Sequence, residues 1–127
     1  NQNYGSGIKS VRSAYRNVIM ENTVSDNNYG ENEKFHFFGI EIGHASTPDE
    51  PVIGLDFTAS YENIVCRNVV TGPDYAGVFL EIESYCNDVF DNVIMGSEKF
   101  AIECHSTLFN SIVNNTLNQE VLNLYGH

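Results

Sequence analysis

Three short stretches of the chain carry carboxylates and imidazoles at matching places. GIEIGH from position 39, FLEIES from 79 and AIECHS from 101 superpose so that Glu41, Glu81 and Glu103 fall in one column, with His44, Glu83 and His105 in or beside a second. If these columns face outward, like charges stacked about 5 Å apart repel, and one carboxyl must keep its proton to higher pH. A carboxyl of that kind can act as general acid, with an ionised neighbour as base or nucleophile. Glu41, Glu81, Glu103, His105 and His44 are therefore the candidate catalytic residues, and Glu83 a candidate substrate contact. Two other readings share this pattern: a cation site on the same column, with Ca²⁺ as the ion, and an ordinary half-exposed strand whose charges are solvated.

The element that would hold such columns in register is a repeat marked by paired asparagines. NVIMEN from Asn17, NIVCRN from Asn63, NDVFDN from Asn87 and NSIVNN from Asn110 each place two asparagines five residues apart. The second members, Asn22, Asn68, Asn92 and Asn115, follow one another at steps of 46, 24 and 23 residues, so the period is 23 to 24 with an insertion in the first step. A repeat of this length, rich in β-branched residues and without heptads, predicts a solenoid whose coils bury their faces against one another. Identical asparagines in adjacent coils can bond each other's amides along the axis, and asparagine tolerates the left-handed backbone of a sharp bend. All eight are read as structural.

Aligned on the second asparagine, the columns Ile19/Val65/Val89/Ile112, Met20/Cys66/Phe90/Val113 and Val24/Val70/Ile94/Leu117 are apolar in every coil and are expected to face inward. Glu21, Arg67, Asp91 and Asn114, just before that asparagine, are expected in solvent. Each coil opens on a small residue and an apolar one, Gly7-Ile8, Gly39-Ile40, Gly77-Val78 and Ala101-Ile102, which suits a corner between strands. The coils run about 7–24, 39–70, 77–94 and 100–117, with a partial strand at 121–124, in a single domain spanning 1–127. Loop insertions fall at about 25–38 and 43–59, where Pro48 and Pro51 rule out a regular internal strand. The chain opens and closes in mid-repeat, which reads as a segment of a longer solenoid or a protomer whose ends are covered.

Tyr15, Tyr61 and Tyr85 occupy one column, replaced by Leu108 in the fourth coil. On an outer face they would form a platform for sugar rings, making Tyr61 and Tyr85 candidate substrate contacts. The leucine at 108 favours a place in the core. Cys66 and Cys104 sit in apolar columns and read as small core residues, and three cysteines in all cannot all pair.

Seventeen acidic against six basic residues give a net charge of −11. So negative a surface repels phosphate backbones and anionic lipids, excluding nucleic acid and membranes as expected partners. It suits neutral sugars, cationic groups, or anionic sugars bridged by Ca²⁺. No apolar run is long enough to span a membrane, and no charged-then-apolar leader is present in these residues.

The pattern GI-x-L-x-x-S-x-x-N-x-I-x-x-N-x-I resembles the right-handed parallel β-helix of the pectate-lyase-like superfamily across nearly the whole chain. That resemblance implies an all-β fold of four to five coils, a polysaccharide partner, and an extracellular or virion-associated setting. Gly43-His44-Ala45 keeps two positions of the polygalacturonase G-H-G, without its N-T-D or D-D. Pectate lyases pair a Ca²⁺-binding carboxylate cluster with an arginine base, and Arg67 is the arginine beside a strand asparagine in the middle coils, which makes it a substrate-site candidate. The resemblance implies a lyase or glycosidase, and equally admits a non-enzymatic tailspike-like shaft, which would be a homotrimer.

Overall fold

A computed structural model of the chain describes residues 6–11, 13–25, 38–43, 59–72, 75–81, 84–105, 107–118 and 122–125. The insertions expected at 25–38 and 43–59 lie almost entirely outside them, as do His44 and Glu83. The described residues form thirteen strands: β1 (Ile8–Val11), β2 (Val18–Met20), β3 (Thr23–Ser25), β4 (Phe38–Gly43), β5 (Ile64–Cys66), β6 (Val69–Thr71), β7 (Ala76–Leu80), β8 (Asp88–Phe90), β9 (Val93–Met95), β10 (Phe100–His105), β11 (Ser111–Val113), β12 (Thr116–Leu117) and β13 (Leu122–Tyr125). They stack in three parallel sheets, β1-β4-β7-β10-β13, β2-β5-β8-β11 and β3-β6-β9-β12. Every third strand in sequence joins the same sheet, so each coil contributes one strand to each. The fold is an all-β parallel β-helix.

The two asparagine columns are the corners on either side of the second sheet. Asn63, Asn68, Asn87 and Asn92 are fully buried. In the second column the Oδ1 of Asn68 accepts from both the Nδ2 and the backbone N–H of Asn22, each at 3.0 Å; Asn92 does the same for Asn68, and Asn115 for Asn92. The other Nδ2 proton goes to carbonyls, that of Asn68 being shared between Ile19 and Cys66. The first column, Asn17 to Asn110, repeats the same bonds. Apart from the Nδ2 of Asn110, which is buried without a partner, these amides pair with each other and with neighbouring oxygens, which is what makes their burial tolerable.

The bend itself belongs to a different residue from the one expected. The left-handed conformation falls on the residue before each asparagine: Arg16, Glu62, Cys86 and Phe109 in one column, Glu21, Arg67, Asp91 and Asn114 in the other, all with φ between 53° and 58°. The asparagine side chain must point inward to join its ladder, so the turn is made one residue earlier, by a side chain aimed at solvent. Each such residue costs about 1–2 kcal/mol of backbone strain, which the ladder bonds offset.

Between these corners the strands are three residues long, and only the middle residue can point inward. Ile19, Val65 and Val89 are buried, with Val24, Val70 and Ile94 beside them in the same core. The Met20/Cys66/Phe90/Val113 column, expected inside, faces outward: Met20 is 38% and Val113 54% exposed. Cys66 is nonetheless buried, lying in register between Met20 and Phe90, whereas Cys104 belongs to the core proper. In the first sheet strict alternation breaks, since adjacent Ala101 and Ile102 both enter the core. The small residue expected at a corner is required there: a Cβ on Gly77 would lie 2.3 Å from Cγ2 of Ile94.

Candidate functional site

The outer face of the five-stranded sheet holds the acidic residues, in a register that differs from the sequence alignment. β4 and β10 each pair with β7 so that Glu41 and Glu103 both stand opposite Phe79. The column is therefore Lys9, Glu41, Phe79, Glu103, and Glu81 lies two residues further along β7's direction, past its last residue. The superposition of FLEIES on GIEIGH was two residues out of step. The small-apolar corner, Gly39-Ile40 against Gly77-Val78, is the correct key, because the core residues after it set the register. The consequence is electrostatic: an apolar ring separates Glu41 from Glu103, and Glu81 approaches Glu41 diagonally on the same face.

Burial decides which of these groups can meet a partner. Glu41 is 4% and Glu103 8% exposed, although both point away from the solenoid interior. Phe38 stacks on Phe79 at 4.1 Å between ring centres, and Tyr75 and Phe100 pack against the same cluster. Glu41 is satisfied at depth: its Oε2 accepts from the Ser6 hydroxyl at 2.6 Å and meets Lys9 Nζ at 3.0 Å. Glu81 is half-buried, yet its Oε2 is cut off from solvent and has no hydrogen-bond donor. Burial first, and then the charge of Glu41, push its carboxyl up to about 7, with Lys9 opposing. His105 is exposed. Among the described polar residues of this face, Lys9, Glu81 and His105 reach solvent, and the Glu41 carboxylate paired with Lys9 lies behind them.

The remaining candidates are elsewhere. Arg67 sits at the corner between the second and third sheets, where its guanidinium meets Glu21 Oε1 at 2.9 Å from Nη2 and 3.0 Å from Nε. It shares no face with the carboxylates. Tyr15, Tyr61 and Tyr85 form a continuous stack with ring centres 5.3 and 5.0 Å apart and planes within 8°. The stack lies outside, not in the core: Tyr15 is 53%, Tyr85 37% and Leu108 53% exposed, the inward place at that corner going to the fully buried Ser60 and Ser84. Because the rings cover one another's faces, the ladder presents mainly ring edges along its length.

Two residues of this site fall outside the sequence-derived candidates: Lys9 is legible, since Gly7-Ile8-Lys9 matches Gly39-Ile40-Glu41 in the corner alignment, whereas Ser6 carries no such mark. Gly43 stands in the sequence only as part of Gly43-His44-Ala45, with nothing to mark its approach to Glu81. Among the described residues no three His, Cys, Asp or Glu side chains converge as metal ligands, and no helix is long and apolar enough to cross a membrane. No family model, curated protein or solved structure matches the chain.

Proposed function

We propose that this β-helix is directed at a polysaccharide, which it binds and cleaves on the outer face of the five-stranded sheet, with Glu81 as the proton donor. The observation that carries this reading is a buried, unpartnered carboxyl oxygen on Glu81 beside the Lys9–Glu41 ion pair. A carboxyl that keeps its proton near neutrality can protonate a departing glycosidic oxygen, and that favours hydrolysis over elimination. His105 and Lys9 supply hydrogen bonds to sugar hydroxyls at the rim, while Glu41 and Glu103 act from below the surface. The net charge of −11 supports a neutral or cationic glycan, and the resemblance of the repeat to pectate-lyase-like proteins supports a polysaccharide as such. Incubation with a panel of polysaccharides, with and without a chelator, tests it: chelator-resistant release of reducing ends is expected, and no product from any polymer would remove the enzymatic reading.

A second reading, a non-enzymatic tailspike-like shaft, is favoured by the outer face of the second sheet. There Val18, Met20 and Val113 are exposed, and at the corner leading into that sheet so are Tyr15, Leu108 and Phe109, the last 83% so. On a shaft such a face packs against other subunits. A trimer mass in solution supports this reading, and a stable monomer contradicts it.

A further inference from the structure

Glu81 owes its place to a glycine in the preceding coil. A Cβ built on Gly43, the last residue of β4, would lie 2.4 Å from the Glu81 Cβ, 3.0 Å from its Cα and 3.1 Å from its nitrogen. Side-chain carbons do not approach one another so closely, and the atoms opposed are backbone or next to it, so no rotamer change relieves the contact. The φ of Gly43, 153°, also lies in a region that other residues seldom adopt. Two hydrogen bonds hold the approach in place. The Glu81 N–H donates to the Ile42 carbonyl at 2.8 Å, and the hydroxyl of the fully buried Ser60 donates to the Gly43 carbonyl at 2.9 Å.

We infer that Gly43 is the positioning residue for Glu81: its missing side chain lets the Glu81 backbone seat against the end of β4, which brings the carboxyl beside Glu41 instead of into solvent. Around that seat the register places Lys9 from β1, Glu41 from β4, and Glu103 and His105 from β10. Glu41 adds to the retention of the Glu81 proton and Lys9 works against it. Any residue larger than glycine at 43 must displace Glu81 outward, toward water and away from Glu41, and both changes favour the ionised carboxylate. The use made of this proton rests on the carbohydrate reading; the seating does not.

The test is a carbon-13 NMR titration of the Glu81 side-chain carboxyl in the wild-type chain, in Gly43→Ala and in Ser60→Ala, with the resonance assigned by its loss in Glu81→Gln. Wild type is expected to titrate near 7, and Gly43→Ala at least one pH unit lower, toward the ordinary value of 4.5. Ser60→Ala, which releases the Gly43 carbonyl without adding an atom, is expected to shift the midpoint the same way by less. A folded Gly43→Ala with an unchanged midpoint overturns the inference. Should Gly43→Ala fail to fold, Ser60→Ala decides: a lowered midpoint supports the positioning role and an unchanged one contradicts it. A shift found in a protein that degrades no polysaccharide keeps the role of Gly43 and removes the carbohydrate reading, so the two fail separately.

Discussion

Asn68 and Glu81 stand in successive coils of one solenoid, and both bury side-chain oxygens. Asn68 accepts two hydrogen bonds on its Oδ1, and the two protons of its Nδ2 are shared among three acceptors. Glu81 buries an oxygen with no donor at all. The contrast follows from chemistry. An amide is both donor and acceptor, so a column of asparagines can satisfy itself from coil to coil, with the Nδ2 of Asn110 at the end of one column left unpaired; a carboxylate only accepts, so a column of glutamates would repel itself. The carboxylate face accordingly abandons repetition. Lys9, Phe79 and the offset of Glu81 replace what would have been identical neighbours, and one carboxyl is left holding a proton. Repetition stabilises the fold, and its local failure marks the place where chemistry can occur.

Breaking the ladder in its middle should have the largest effect. Asn68→Ala removes the acceptor of the part-buried Asn22 N–H groups and the donor of two carbonyls at a fully buried position, and we expect a loss of about 3 kcal/mol, read as a lower urea midpoint. Asn115→Ala, at the exposed end of the same column, should cost markedly less, and equal losses would refute the idea that the ladder acts through burial. Next comes the core contact under the first sheet: Gly77→Ala forces a methyl onto Ile94 and should cost about 2 kcal/mol.

Glu81→Gln sharpens the other side of the comparison. The folded pKa of Glu81 is raised, from 4.5 to about 7, so its contribution is fully present below pH 4.5 and is lost as pH rises through 7. The Gln variant should match wild type at low pH and exceed it at pH 8 by on the order of 1–2 kcal/mol, allowing for partial solvent screening. Parallel stability curves for the two proteins would contradict this. The smallest effect belongs to an exposed corner pair: Arg67→Ala, which breaks the contact with Glu21, should change stability by no more than about 0.5 kcal/mol.

The coil count, the stacking order and the ladders could be read from the sequence because they repeat, and four copies of NxxxxN define a register that no single strand could. Where the structure departs from the sequence pattern, repetition does not encode the feature. The Met20 and Cys66 column is apolar yet outward, because three-residue strands between two corners leave room for only one inward side chain. The tyrosine column is outward because Ser60 and Ser84 take the inner corner. Glu81 was placed two residues out of register because FLEIES resembles GIEIGH more than GVFLE does, whereas packing after Gly39 and Gly77 sets the true alignment. Proximity of Glu81 to Gly43 depends on backbone approach between coils, which leaves no trace in residue type beyond the glycine itself.

If Glu81 delivers a proton to a glycan, the pH profile of polysaccharide cleavage separates wild type from Glu81→Gln. Wild type should release product below about pH 7 and lose activity as Glu81 ionises above it, while the Gln variant should be slower by roughly 10²–10⁴-fold at every pH. Equal rates in the two proteins, or a wild-type rate indifferent to pH across 7, would contradict it.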